Sequence, residues 1–375
     1  MDLSFLRPLY ARPGPWASAY LDASRDTEDA ATRLALRWRG LADRLAALGA
    51  PAPVVDALGE AVQGHETRSG RYGLAVFGAP PDTVSVHYLP VPPVTELAAF
   101  GPLPHAMPLV AQRGDDVSWV RVVADRTGAD LDGLDAGGVH RRAEVRGGEQ
   151  FPLRKVHAGG WSQERFQRSA EESWKHNAGD VAAATAHLAE RIGADVVIIA
   201  GDVRARELLV EKLPARWRAR TVQSDAGSRA PGADEEALDE STVIAVAEVA
   251  EQQAVDARDR FGAQEGAGNG LPAVVAALQR AQVDTLLLVD DPSSTDEAWI
   301  GSEANHLALS RDEVVAMGVA EPRRVRADAA LMRALVGTDA GIVFVGPDEV
   351  DLEHGVGAVL RWNDATTRAA TGNGA

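Results

Sequence analysis

The sequence predicts an α/β protein of several domains, and three observations carry that reading. Its 375 residues exceed one ordinary core and suit two or three domains at roughly 100–200 residues each. Strand-like apolar runs alternate with helix-like stripes, the pattern of sheets covered by helices. Two stretches rich in turn-forming residues, 90–108 and 224–233, divide that alternation into three segments. Hydrophobic residues at 45% and charged residues at 25% give each segment the composition to bury a core. The predicted domains are residues 1–113, 114–226 and 235–375.

In the first domain, residues 17–21 read as a strand. Residues 27–48 follow as an amphipathic helix, with Leu34, Leu36, Leu41, Leu45 and Leu48 as its core stripe and Arg33, Arg37, Arg39 and Arg44 interleaved. A short helix over 54–62 precedes two β-rich runs, 72–77 and 83–89, and the proline-rich stretch reads as the exit. The second domain begins with a strand over 117–124, a turn region over 125–134 and a partner strand over 139–145. A long helix from Ser162 to about Ile192 ends at Gly193, before a strand over 195–200, a helix over 203–213 and a short strand over 221–223. The third domain reads as helices over 235–260, 271–279 and 327–336, with strands over 285–289, 341–345 and 358–362.

The chain has no cysteine, which excludes disulfides, thiolate metal sites and cysteine nucleophiles. Its start, MDLSFLRPLYARPGPW, has no apolar signal core, and the runs 196–200 and 285–289 are far shorter than the roughly 18–20 residues of a membrane span. A cytoplasmic location follows as the expectation. The net charge of −17 argues against general affinity for nucleic acid, DNA included. A local basic surface escapes that argument, because screening acts over about 8 Å at physiological salt.

The most informative stretch is residues 156–168, Val-His-Ala-Gly-Gly-Trp-Ser-Gln-Glu-Arg-Phe-Gln-Arg. It resembles the archaeo-eukaryotic peptide release factor and Pelota family, whose Gly-Gly-Gln loop is followed by Ser-x-x-Arg-Phe-x-Arg. Residues 266–291 look like the family's third-domain helix and strand, and residues 355–361, Gly-Val-Gly-Ala-Val-Leu-Arg, resemble its closing strand. The resemblance spans roughly residues 117–362. The first domain shows no stop-codon-reading motif, which makes the chain similar to the bacterial branch that includes the hibernation factor Balon and its actinobacterial relatives. The resemblance implies a divergent α/β N-terminal domain, a ribonuclease H-like middle domain without nuclease chemistry, and an α/β/α sandwich at the C-terminus. It further implies a ribosomal partner, with ribosomal RNA met at the A site and peptidyl-transferase centre, delivery by a translational GTPase such as an elongation factor, and no cofactor.

In a release factor the glycines allow close backbone approach and the glutamine positions the hydrolytic water. Here Trp161 follows Gly159 and Gly160. An indole N–H donates but does not accept, and its bulk displaces water, so the chain is expected not to be an enzyme. Trp161 has two readings: a hydrophobic staple with Phe166, with Ser162 as N-cap, or a platform stacking on an unpaired base. From His140 to His176 there are eight Lys or Arg and five Glu, a local excess of +3. Within it Arg154, Lys155, Arg165 and Arg168, with His157, are candidate phosphate contacts near a helix start. A solvated face of i,i+4 ion pairs, Glu164 with Arg168 and Glu171 with Lys175, is the competing reading. The arginines of residues 27–48 face the same two alternatives.

Other motifs are weaker. Residues 266–270, Gly-Ala-Gly-Asn-Gly, lack the Lys-Ser/Thr of a phosphate loop and read as a turn and helix start. Asp290, Asp291, Asp296 and Glu297 form an acidic loop, either solvated or able to hold a cation. The nine histidines show no metal spacing. Two enzyme readings compete with ribosome occupancy: peptide release with Gln163 replacing the missing glutamine, and a small-molecule α/β enzyme.

Overall fold

The computed structural model describes residues 1–362 except 69, 114–116, 136–137, 147–159, 231, 265–267, 292–293 and 295; for residues 160–173 it describes the backbone only. Two compact units emerge, Met1–Asp115 with Ala254–Ala375, and Asp116–Gln253. The segments expected to form the first and third domains thus share one unit. Among the described residues no helix is long and apolar enough to cross a membrane.

The N-terminal part of the first unit runs α1 (Arg7–Tyr10), β1 (Trp16–Asp22), α2 (Ala30–Ala47), α3 (Ala52–Gly64), β2 (Gly73–Ala79), β3 (Thr83–Leu89), β4 (Leu97–Gly101) and α4 (Met107–Gln112). Its sheet has the order β3-β2-β1-β4 and is antiparallel throughout. Strand β4 lies inside the proline-rich stretch read as an exit; five residues without proline suffice to pair it along β1. Alternation splits β1 between two cores. Ala17, Ala19 and Leu21 pack under α2 and α3, while Trp16 and Tyr20 face a core shared with α4 and the C-terminal segment. The buried stripe of α2 is Leu34, Trp38, Leu41 and Leu45. Leu36 and Leu48, expected in that stripe, are exposed at 57% and 52%: Leu36 lies between Leu34 and Trp38 off the buried face, and Leu48 lies past the last turn as the C-cap.

The second unit runs β5 (Trp119–Asp125), β6 (Gly128–Leu134), β7 (His140–Arg146), α5 (Gly160–Ile192), β8 (Val196–Gly201), α6 (Val203–Lys212), α7 (Ala215–Arg218), β9 (Thr221–Gln223) and α8 (Glu235–Gly262), the last continuing into the first unit. The strand order is β7-β6-β5-β8-β9, with β6 antiparallel to both neighbours and β5, β8 and β9 parallel. This is the ribonuclease H-like topology that the resemblance implies. Residues 128–134 were expected to turn; instead they form β6, whose Ala129 and Leu131 point into the core. Val197 and Ile199 of β8 pack beneath α5 and α6, and Val196 and Ile198 meet Ala245 of α8 on the opposite face. The stretch read as a linker is tied down: buried Arg206 donates to the Ser224 carbonyl and, at 2.7 Å, to Asp225. It returns α8 to the second face of the sheet, so that helix serves the middle unit as well as the C-terminal segment.

The C-terminal segment adds α9 (Leu271–Gln279), β10 (Val283–Leu288), β11 (Glu297–Ile300), β12 (Leu307–Ala308), α10 (Arg311–Ala316), β13 (Arg323–Arg326), α11 (Ala327–Gly337), β14 (Gly341–Phe344) and β15 (Val356–Leu360). Strand β10 sits between parallel β14 and antiparallel β15. Leu286 faces α9 and α11, and Leu287 faces Phe261 of α8, which makes the expected α/β/α sandwich. A small antiparallel sheet, β12-β11-β13, is inserted before α11. Of the turn and helix start expected over 266–270, residues 266 and 267 lie outside the described residues, and the remainder leads into α9: Gly268 has φ +81° and a Cβ there would lie 2.6 Å from the Ala358 carbonyl oxygen, so only glycine fits.

Candidate functional site

Of the residues singled out by sequence, Gly160, Trp161, Ser162, Arg165 and Arg168 occupy the first nine positions of α5. Arg154, Lys155, His157 and Gly159 lie outside the described residues. The helix begins at Gly160, so Ser162 is its third residue and not the N-cap, and Trp161 is not the residue before the cap. At 100° per residue, positions 161 and 166 lie about 140° apart, on different faces. The side chains of Trp161 and Phe166 lie outside the described residues, so the staple and the stacking reading both stay open; by backbone position alone 161, 165 and 168, spaced i, i+4 and i+7, share one stripe of the helix.

Further along α5, two guanidinium groups approach the Trp174 ring, Arg126 at 4.7 Å and Arg204 at 5.9 Å from its centroid. Asp202 caps α6 by accepting from the Arg204 and Ala205 amides and approaches Arg126 at 3.7 Å. Asn177 donates to the Arg126 carbonyl at 3.2 Å. A cation–aromatic stack of this kind is a surface on which a planar base can also stack. Sequence reading missed it, because Arg126, Trp174 and Arg204 are far apart along the chain.

The arginines of β7 are partnered, which the net count did not reveal. Arg141 approaches Asp135 at 3.9 Å, and Arg142 and His140 approach Asp132 at 3.8 and 3.7 Å. Asp130 and Glu144 stand directly opposite across β6 and β7, a like-charge pair that destabilises a sheet. Arg229 resolves it, reaching Asp130 at 3.0 Å, Asp125 at 3.1 Å and Glu144 at 3.5 Å. Burial pushes the Asp125 carboxyl up, but hydrogen bonds from Thr127 and the Arg229 guanidinium outweigh it and hold the group below its ordinary value. Glu144 is likewise held down, chiefly by Arg146. The positive residues of β7 are thus matched by acids on β6, on the β6–β7 turn and on β7 itself.

In the first unit, Arg37 pairs with Asp22 at 2.8 Å and Glu96 at 3.2 Å, and Arg33 with Asp29 at 4.0 Å. Arg37 thus holds α2 to its own unit and Arg33 makes an exposed pair within the helix start, which favours the solvated or structural reading over an RNA contact. Among the described residues no group of three or more His, Asp or Glu is placed to hold a metal.

A model of the bacterial archaeo-eukaryotic release factor family 2 matches residues 118–267, from β5 through α8. Two uncharacterized proteins of Mycobacterium tuberculosis, Rv2629 (strain H37Rv) and MT2704 (strain CDC 1551), are each 30% identical over 365 residues, covering 95% of this chain and 96% of theirs. Among solved structures, the archaeal translation termination factor aRF1 is 17% identical, with 95% of this chain and 96% of that one covered and a TM-score of 0.27. Archaeal Pelota, in a model of its ribosome-bound form with ABCE1, is 14% identical, with 96% and 94% covered and a TM-score of 0.39.

Proposed function

The chain belongs to the bacterial archaeo-eukaryotic release factor family, and we propose that it is a translation factor that occupies the ribosomal A site without releasing peptide. The observation that carries this reading is Trp161, at the position where the family's loop has its catalytic glutamine. An indole has one donor and no acceptor, so it cannot orient an attacking water as a carboxamide does. Occupancy is retained while hydrolysis is lost. The stripe of positions 161, 165 and 168 at the start of a 33-residue helix suits RNA: the helix start attracts phosphate, arginines bind it, and the indole stacks on a base. A factor of this kind protects idle ribosomes during hibernation or stress, in the manner of Balon, and a translational GTPase is the natural delivery partner.

The test is co-sedimentation of the full chain and its Trp161→Ala and Arg165→Ala variants with purified ribosomes across a salt series, with peptidyl-tRNA hydrolysis measured on the bound fraction. Wild type should pellet with ribosomes in a salt-sensitive manner without releasing peptide, and both variants should bind several-fold more weakly. Peptide release by wild type that is lost in Gln163→Ala would establish the enzymatic alternative. A wild type that stays in the supernatant at low salt, with and without a translational GTPase, would overturn occupancy.

A further inference from the structure

A cavity of about 800 Å³ opens within the Met1–Asp115/Ala254–Ala375 unit, a size within the usual range for small-molecule sites. It lies beyond the carboxyl end of β10, where open α/β sheets place ligands. Met107, Pro108, Leu271, Leu288 and Leu331 give it apolar walls. Among the described residues four carboxylates line it, those of Asp290, Asp291, Asp296 and Asp328, against one guanidinium, Arg326, which is bound to Asp328 at 2.7 Å. Among the described lining residues carboxylates outnumber guanidinium groups.

The unsatisfied polar atoms of the wall have the same character. His105 is 8% exposed, and its Nδ1 has no hydrogen-bond partner, standing 3.9 Å from Asp328, beyond hydrogen-bond reach. Burial pushes this imidazole pKa down, so the ring is neutral and offers an acceptor nitrogen. Gln112 Oε1, also on the wall, is buried without a partner. Asp290 sits where the apolar wall meets the acidic rim, and burial together with Asp291 disfavours its charge. Acceptors left unsatisfied and carboxylates left close together are both relieved by one kind of guest, a donor-rich cation.

We propose that this cavity binds a small organic cation, an amine or guanidine carried on a hydrocarbon body. The apolar walls take the body, and the Asp290–Asp291 edge with His105 and Gln112 takes the N–H donors. This site is separate from the α5 start and independent of the reading given above.

The test is calorimetric titration of the full chain with diaminooctane and, as its uncharged counterpart, octanediol. The diamine should bind at one site, and the diol at least about tenfold more weakly. Asp290→Asn and Asp291→Asn should each weaken diamine binding about tenfold, whereas Asp348→Asn, an exposed carboxylate away from the cavity, should not. Unliganded thermal midpoints confirm folding of each variant, and either cavity variant suffices if the other misfolds. Equal binding of diol and diamine, wild-type affinity in the cavity variants, or equal weakening by Asp348→Asn would each overturn the proposal. So would failure of the diamine to bind while a lysine-bearing peptide does.

Discussion

At His87 a single ring makes stability depend on pH. The half-buried imidazole packs edge-on to Phe77 and Phe5, with centroids at 5.7 and 6.2 Å. Burial, with the Arg113 guanidinium second, pushes its pKa down to about 4. A folded-state value below the ordinary value of about 6.5 means that the unfolded chain binds the extra proton between those limits. The contribution is present in full above about pH 6.5 and is lost as pH falls toward 4, amounting to about 2 kcal/mol after discounting for partial solvent exposure. Urea unfolding near pH 7 and near pH 4.5 should show His87→Gln losing less stability than wild type over that interval. Arg229 acts by a different mechanism, separating the facing Asp130 and Glu144. Arg229→Met should lower stability by about 1–2 kcal/mol, and adding Glu144→Gln should recover part of it, as a double-mutant cycle on denaturant midpoints would report.

Among the elements, helices were far more legible than strand partners. The spacing in α9 and α11 was readable because their apolar residues repeat with the helical period. Strand β6 was not, because Asp and Gly suggest turns; yet alternation sends Ala129 and Leu131 inward and sets Asp132 opposite Arg142. The sheet β12-β11-β13 was missed because strands of two to four residues show no measurable period. The site was legible in one respect only. Residue spacing revealed the Gly159–Arg168 motif, whereas the acids that neutralise β7, and the Arg126–Trp174–Arg204 stack, depend on contacts that cross the fold. Two helical glycines sharpen the contrast between propensity and packing. A Cβ on Gly59 in α3 would lie 2.7 Å from the Trp38 indole nitrogen, so Gly59→Ala should destabilise by about 1–3 kcal/mol through overpacking. Gly179 in α5 has open space around its Cβ position, and Gly179→Ala should stabilise by about 0.5–1 kcal/mol. Thermal melts of the two variants should shift in opposite directions.

For the molecule as a whole, the distribution of cores determines which fragments can stand alone. The sheet of the middle unit has a core on each face, both built from its own residues. A fragment of residues 116–262, carrying all of α8, should unfold cooperatively by circular dichroism. A fragment ending at residue 113 should not. Its α1 and α4 pack against α11 of the C-terminal segment, in the core that also holds Trp16, Tyr20 and Phe77, and without that segment the core is left open as a large apolar patch. A cooperative melt of the shorter fragment would refute this account of the first unit. Strand β7 adds a final consequence. It ends the five-stranded sheet, and among the described residues its outer edge is unpaired, a row of backbone donors and acceptors open to any extended chain. Arg141, Arg142 and Arg146 stud that edge, each paired with an acid, and a second copy brought alongside would have to desolvate those charges. That cost keeps an open β-edge from seeding aggregation.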